Sequence, residues 1–308
     1  RGPDAHGTMD FGYATLGHTR LSIIDIATGG QPMRDGERNV AITFNGEIYN
    51  YKQLRTALEK RGHTFETTSD TEVILKCYAE YGDECPEHLD GQFAFAIWDN
   101  DEQRLFMARD RFGEKPFFYS MGDGVLAFAS EIKALLATGL VSKKLDLVSL
   151  DNYLALYFIP PWRSVYKDIT PLPPAHRAVY ENGKLTIERY WQLSSAPSSI
   201  SYDDAAHRVR EMLSASVESR MIADVEVGVF LSGGIDSSIV TALAQSHAKG
   251  SLKSFSAGFD EHINELPYAR EVAQHVGTDH YERNIPVLLD DIRAVTRYFD
   301  EPMGDSSN

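Results

Sequence analysis

Val227-Gly228-Val229-Phe230-Leu231 runs directly into Ser232-Gly233-Gly234-Ile235-Asp236-Ser237-Ser238. The first five residues are a short apolar run of β-branched and aromatic side chains bounded by glycine, the composition of a parallel strand covered on both faces. The chain must then turn sharply. Gly233 and Gly234 permit positive φ and a close approach of backbone to ligand. The helix that follows directs free N–H groups and its positive dipole end to the same point. Such a corner seats an anion. Ser232, Ser237 and Ser238 add hydroxyl donors, and Asp236 is a hard oxygen ligand suited to holding Mg²⁺ against phosphates. The plain alternative is that Asp236 and Ser237 cap a helix and the glycines make a turn. A Walker loop is excluded, because the only Gly-Lys pair, Gly183-Lys184, is followed by Leu185. The loop holds no Lys or Arg, so phosphate charge must be balanced by backbone donors, a metal ion and basic residues elsewhere.

Working outward from this corner, Asp203 to Met221 reads as a helix with an apolar stripe of Ala206, Val209, Leu213 and Val217. After the loop come a helix from Ser237 to His247, a strand from Leu252 to Phe259, a helix from Pro267 to Val276 closed by Gly277, and a strand from Tyr281 to Ile285. Strand, helix, strand, helix, strand is the pattern of a doubly wound parallel sheet, which binds ligands at the carboxyl ends of its strands. Leu193 to Tyr202 lacks apolar periodicity and reads as a linker.

The residues before the linker are organised differently. Short alternating or apolar runs span Asn39 to Phe44, Gln92 to Trp98, Arg104 to Ala108, Pro116 to Tyr119, Val125 to Ala129 and Ala178 to Tyr180. Turn signals at Asn45-Gly46, Asp123-Gly124 and Asn182-Gly183 separate many of them. Helical periodicity appears at Tyr51 to Lys60, Thr71 to Tyr81, Ser130 to Ala137 and Val148 to Tyr157. This mixture predicts an α+β layered domain with antiparallel sheets. The division is therefore residues 1–192, a linker at 193–202, and a second domain at 203–308.

Composition agrees with two cores. The chain has 308 residues and 43% hydrophobic content, whereas single cores stop growing near ~250–300 residues. With 30 basic against 45 acidic side chains and a net charge of -15, it lacks the electrostatic footprint for nucleic acid or an anionic membrane. Small-molecule substrates fit better. Cys77 and Cys85 have no Cys-x-x-Cys spacing, so neither a disulfide framework nor a zinc site is expected; Cys77 shares helical spacing with Val73, Ile74, Tyr78 and Tyr81 and reads as a packed thiol. No apolar run approaches ~18 residues and no charged-then-apolar leader is present, which points to a cytoplasmic enzyme. The chain opens at Arg1 without Met and stops at Asn308 soon after Asp300-Glu301-Pro302, so it reads as an internal piece of a longer protein.

Ser232 to Ser238 resembles the pyrophosphate loop of the ATP-pyrophosphatase superfamily, whose members cleave ATP between the α and β phosphates. The first domain adds further strings: Arg1-Gly2-Pro3-Asp4, His18-Thr19-Arg20-Leu21-Ser22-Ile23-Ile24-Asp25, Phe44-Asn45-Gly46-Glu47-Ile48-Tyr49-Asn50 and Thr68-Ser69-Asp70-Thr71-Glu72. Gly91-Gln92-Phe93-Ala94-Phe95-Ala96 and Arg109-Asp110-Arg111-Phe112-Gly113 follow. In this order they resemble, across nearly the whole chain, the glutamine-hydrolysing asparagine synthetases.

The resemblance implies an N-terminal nucleophile hydrolase-like glutaminase domain with αββα layers, followed by an adenine-nucleotide α-hydrolase-like (ATP-pyrophosphatase) α/β domain. It implies that Arg20 grips the α-carboxylate of glutamine with its planar fork. Asp70 would pair with the α-ammonium, and Leu21, Ser22, Ile23, Ile24 and Glu47 would belong to the same glutamine site. The Asn45 side-chain amide and the Gly46 backbone N–H would form the oxyanion hole, where loss of one donor costs ~10²–10³ in rate. Read without the resemblance, Asn45-Gly46 is a turn dipeptide, Arg20 a surface charge, and Asp70 a helix N-cap.

ATP and Mg²⁺ are implied for the second domain, with Leu231 to Ser238 and Ala257 around ATP and Asp236 toward the metal. The family's nucleophile is a cysteine at the mature amino terminus, whose own amine serves as base. Cys77 and Cys85 match neither its position nor its surroundings, so the sequence as given is expected not to hydrolyse glutamine. Amide synthesis is likewise expected to need residues beyond Asn308. The implied reaction joins glutamine-derived ammonia to the β-carboxylate of aspartate, activated by ATP with release of AMP and pyrophosphate, and the resemblance also implies a homodimer.

Two rival readings stay open. In one, the same fold acts on another carboxylate, as in exopolysaccharide-associated amidotransferases or β-lactam synthetases; the matched glutamine-site residues disfavour the latter, while Tyr157 to Pro161 resembles bacterial paralogues. In the other, the chain is a regulatory protein that binds glutamine without catalysis.

Overall fold

The computed structural model describes residues 2–122, 124–197, 199–258, 264–285, 298–302 and 304. Arg1, Asp123, Ser198 and Phe259 of the strings and boundaries above lie outside the described residues. The chain divides into two compact units, Arg1–Ser194 with Thr296–Asn308, and Ser195–Val295. The described residues 298–302 and 304, placed by sequence in the second domain, thus group with the first unit.

The first unit contains strands β1 (Ala5–Asp10), β2 (Thr15–Arg20), β3 (Met33–Asp35) and β4 (Val40–Ile48). Helices α1 (Tyr51–Glu59), α2 (Asp70–Tyr81) and α3 (Cys85–His88) follow. Then come β5 (Gly91–Asp99), β6 (Arg104–Arg109), β7 (Phe118–Gly122) and β8 (Val125–Ala129). The unit continues through α4 (Ile132–Ala137), α5 (Leu147–Leu156), β9 (Thr170–Pro171), β10 (His176–Glu181) and β11 (Lys184–Arg189). Its main sheet is six-stranded and antiparallel, in the order β11-β10-β6-β5-β4-β3.

The central strand β5 explains the layering. Its alternate residues point to opposite faces, and both faces are buried. Phe93 and Phe95 meet on one face, and Phe95 continues to Phe106 of β6, which stacks on Tyr78 of α2 with centroids 5.3 Å apart. Ala94, Ala96 and Trp98 point the other way, into a cluster with Leu16, Phe117, Leu172 and partly buried Phe128 from the β1–β2 hairpin and the β8-β7-β9 sheet. Ile132 and Leu135 of α4 pack on the far side of that second sheet, beside Phe118, Ala127 and Ala129. Helix, sheet, sheet, helix is the expected αββα order.

Local boundaries shift where side chains decide them. Asn45-Gly46 is not a turn; both residues lie inside β4, paired with Ala94 and Phe93 of β5. The reason is a close approach, since a Cβ on Gly46 (φ +154°) would land on the Gln92 carbonyl oxygen and within 2.8 Å of Phe93 Cα. The β1–β2 hairpin, β3 and β11 are strands the apolar pattern did not mark. β1 and β11 are largely exposed, so their pairing leaves little hydrophobic alternation to read.

The second unit contains α6 (Tyr202–Arg220), β12 (Gly228–Phe230), α7 (Ile235–His247), β13 (Lys253–Gly258), α8 (Leu266–Val276) and β14 (Asp279–Asn284). The three strands are parallel in the order β12-β13-β14, joined through α7 and α8. Two expectations change here. β12 is an edge strand with Phe230 89% exposed, so the run from Val227 is not covered on both faces. The stripe on α6 is not buried either: no residue of that helix is, and Val209 is 56% exposed. An apolar pattern reports a face that wants cover, and among the described residues nothing buries these two.

Candidate active site

A cavity of about 1320 Å³ opens in the first unit between β1, β2, β4 and β5 and the β8–α4 junction. Of the residues assigned to glutamine, Arg20, Leu21, Ile23, Ile24, Asn45, Gly46, Glu47 and Asp70 line it. Ser22 does not; its backbone N–H is held by the Asp4 carboxylate at 2.8 Å.

Arg20 ends β2 and is buried, 8% exposed. It is not a surface charge. Its Nη2 donates to the carbonyls of Ile24 (2.9 Å) and Asp25 (2.6 Å), and its Nη1 donates to that of Ile26 (3.3 Å). One guanidinium therefore shapes the loop that carries Ile23 and Ile24 to the cavity. Asp25 closes the loop from the other side, accepting from the Thr28 backbone and hydroxyl and from the Thr68 backbone. Burial by itself would raise the Asp25 carboxyl, but these bonds outweigh it and hold the group below its ordinary value.

Asp70 opens α2, but the cap is Ser69, whose hydroxyl accepts the Thr71 N–H at 3.2 Å. Asp70 instead accepts the Ile48 N–H at 3.1 Å, across from the end of β4. Its carboxyl is raised from 3.8 to about 6 because burial disfavours the charge more than its backbone hydrogen bonds favour it, and Glu47 adds repulsion. A cationic ligand group at this point would relieve that cost.

Three lining residues carry signals that the motif reading did not use. Gln31 pairs with a strand edge through its side chain, accepting the Phe44 N–H at 2.7 Å and donating to the Phe44 carbonyl at 3.1 Å. His18 reaches the Thr43 hydroxyl at 3.1 Å; burial, then Arg20, lower it to about 4, so the ring is neutral at pH 7. Ser130, between β8 and α4, accepts a hydrogen bond from Asn45 Nδ2 at 3.4 Å. Neither cysteine lines the cavity: Cys77 and Cys85 are fully buried, with their thiols on the carbonyls of Cys85 and Ile74.

In the second unit the loop Ser232–Gly234 leaves the carboxyl end of β12 and is largely exposed. Only Gly233 has positive φ (+82°); Gly234 is extended at φ −69°, ψ 161°. Gly233 is required by packing, because a Cβ there would sit 2.6 Å from Ala269 N in α8. Helix α7 begins at Ile235, two residues before the expected start, with Gly234 as an N-cap that supplies no side-chain bond. Asp236 and Ser237 therefore do not cap it. Ser232 and Ser237 share a hydroxyl pair at 2.9 Å, and Ser238 donates to the Gly234 carbonyl at 2.7 Å. The uncapped N–H groups at the start of α7 suit an anion.

Leu231 is buried against Ala269 and Ala273, so its side chain is a packing group and only its backbone is at the loop; Ala257, at the end of β13, is exposed. Among the described residues no group of three His, Cys, Asp or Glu side chains is arranged to hold a metal. Asp236, the second residue of α7, is a single carboxylate beside the loop.

Comparison with known proteins supplies the family. Residues 1–191 match the glutamine amidotransferase domain, and residues 208–308 match asparagine synthase. The chain belongs to the glutamine-hydrolysing asparagine synthetase family. It is 37% identical over 300 residues to asparagine synthetase [glutamine-hydrolyzing] 3 of Bacillus subtilis, covering 92% of this chain and 49% of that protein. Asparagine synthetase 1 of the same organism is 36% identical over 99% of this chain and 49% of its own length. The amidase chyE of Penicillium rubens is 34% identical over 91% of this chain and 44% of its own. The chain thus spans about half the length of these relatives. The architecture agrees with the family: the αββα-layered unit falls within the glutamine amidotransferase match and the three parallel strands with their helices within the asparagine synthase match. Among the described residues no helix is long and apolar enough to cross a membrane.

Proposed function

We propose that this chain carries the glutamine site and the ATP site of an enzyme that makes asparagine from aspartate with ammonia taken from glutamine. The carrying observation is that Arg20, Asn45, Gly46, Glu47 and Asp70, scattered over 51 positions of sequence (20 to 70), meet at one cavity. Asp70 takes the α-ammonium of glutamine. Arg20 has five N–H donors and directs three to loop carbonyls, which leaves either Nε–H or one Nη1 proton to donate to the α-carboxylate. The Asn45 amide and the Gly46 N–H stabilise the oxyanion. The nucleophile is the amino-terminal cysteine that the resemblance assigns to the natural protein, consistent with two cysteines here that are buried away from the cavity.

In the second unit the start of α7 with Ser232, Ser237 and Ser238 holds the pyrophosphate of ATP, and Asp236 holds Mg²⁺, which neutralises phosphate charge. Aspartate activated by adenylation is then attacked by ammonia. The residues 1–192 and 203–308 act as the two catalytic parts, and the two buried, unbridged cysteines support a cytoplasmic setting. In the natural full-length protein, Asp236→Ala should abolish ATP-dependent asparagine formation and pyrophosphate release while glutamine hydrolysis continues. Equal loss of both activities would overturn the division of labour, and a substrate panel read by pyrophosphate release decides the acceptor.

A further inference from the structure

The stretch from Tyr298 to Pro302, with Gly304, lies against the first unit. Glu301 Oε1 accepts the Val165 N–H at 2.7 Å, and the Gly304 N–H donates to the Tyr157 carbonyl at 3.1 Å. Asp300 accepts the Ile132 N–H at 2.6 Å through Oδ2, and its Oδ1 lies 3.3 Å from Lys133 Nζ, which also donates to the Tyr298 carbonyl at 3.1 Å. Ile132 is the first residue of α4, and Ser130 and Glu131 just before it line the cavity.

Ser130 accepts from Asn45 Nδ2 at 3.4 Å, near the limit of a hydrogen bond, so a shift of a few tenths of an ångström at the start of α4 makes or breaks it. That contact has leverage. The outer torsion of an Asn side chain is broad and roughly two-fold, so a partner on one Nδ2 proton fixes where the other points. We propose that Ser130 is a positioning residue for the Asn45 carboxamide, and that Asp300 sets its reach by tying down Ile132. The proposal rests on the reading of Asn45 as an oxyanion donor. It gives the segment around Asp300 a mechanical hold on the wall of the glutamine cavity.

The test uses steady-state glutamine hydrolysis by the natural full-length protein. Ser130→Ala should lower kcat about three- to tenfold, a fraction of the loss expected for removing a whole oxyanion donor, with KM within about twofold of wild type. Ser130→Thr, which keeps the hydroxyl, should restore kcat. Asp300→Ala should show the same kcat-only signature, and the double variant should be no slower than Ser130→Ala, since coupled sites are not additive. Asp300→Asn keeps an oxygen for the Ile132 N–H and should stay near wild type, which provides a folded comparison. Unchanged kcat in Ser130→Ala, beside a loss of about 10² in Asn45→Ala, overturns this inference and leaves the oxyanion reading standing. Unchanged kcat in Asn45→Ala overturns both. Additive losses, or an Asp300→Asn as slow as Asp300→Ala, overturn the part assigned to Asp300.

Discussion

At Asp70 a buried carboxylate waits for a partner. In the unfolded chain it ionises near 3.8, and in the folded chain near 6. Between these values the folded state holds more protons, so this group favours folding at low pH, and that contribution is lost as pH rises from about 4 to 6. Binding an ammonium has the opposite sense, because it needs the ionised form. The KM for glutamine should therefore be level above about pH 7 and rise about tenfold per unit below about pH 6. Asp70→Asn should give a weak and pH-independent KM. A KM for wild type that stays flat from pH 7 to 5 would remove Asp70 from the role given to it. Arg20 teaches a related lesson: it is buried because it holds three carbonyls, and any grip on substrate uses donors beyond those three.

Strand β4 sets the Asn45 amide and the Gly46 N–H by its register on β5. Asn45 sits opposite Ala94, and Gly46 opposite Phe93, whose ring belongs to the aromatic layer shared with Phe95. Side chains alternate along the strand, so a slip of one residue would turn Asn45 away from the cavity. Gly46→Ala puts a methyl onto the Gln92 carbonyl at a φ that L residues rarely adopt. We expect it to cost more than about 2 kcal/mol of stability and to abolish glutamine hydrolysis. Denaturant melts and activity at pH 7 check this together. A well-folded variant with normal turnover would mean that the strand tolerates a register change. On α7 the corresponding constraint is Gly233, whose packing against α8 aims the loop that precedes the helix.

At the scale of the molecule the two units differ in how much they bury. The first has a sheet covered on both faces, with Ala41, Ile42, Phe93, Ala96, Ile97 and Phe106 at zero exposure. The second buries Leu231, Ala269 and Ala273 in a small cluster, while Phe230 and every residue of α6 stay outside. Local stability follows buried apolar contact. Amide hydrogen exchange on this chain should show the slowest protons in β4, β5, β6 and α2, and much faster exchange in α6 and β12. Comparable protection in both units would show that the second is held by more than its own cluster.

Much of this could be read from residues in a row. The turn at Ser232 to Ser238, the helix at Thr71 to Tyr81 and the run Gln92 to Trp98 depend on local sterics, capping and periodicity, which neighbours in sequence supply. The first of these strings carried the candidate ATP residues, while the candidate glutamine residues came from Arg20 to Ile24, Asn45 to Glu47 and Asp70. Tertiary structure alone decided the rest. Asn45-Gly46 looks like a turn until β5 claims it as a strand. Ser130 has no mark beyond its place between a strand and a helix. The packing of Asp300 and Glu301 on the first unit joins residues 168 and 136 positions apart. Such contacts form because buried N–H groups must find acceptors once layers pack. The acceptor nearest in space need not be near in sequence.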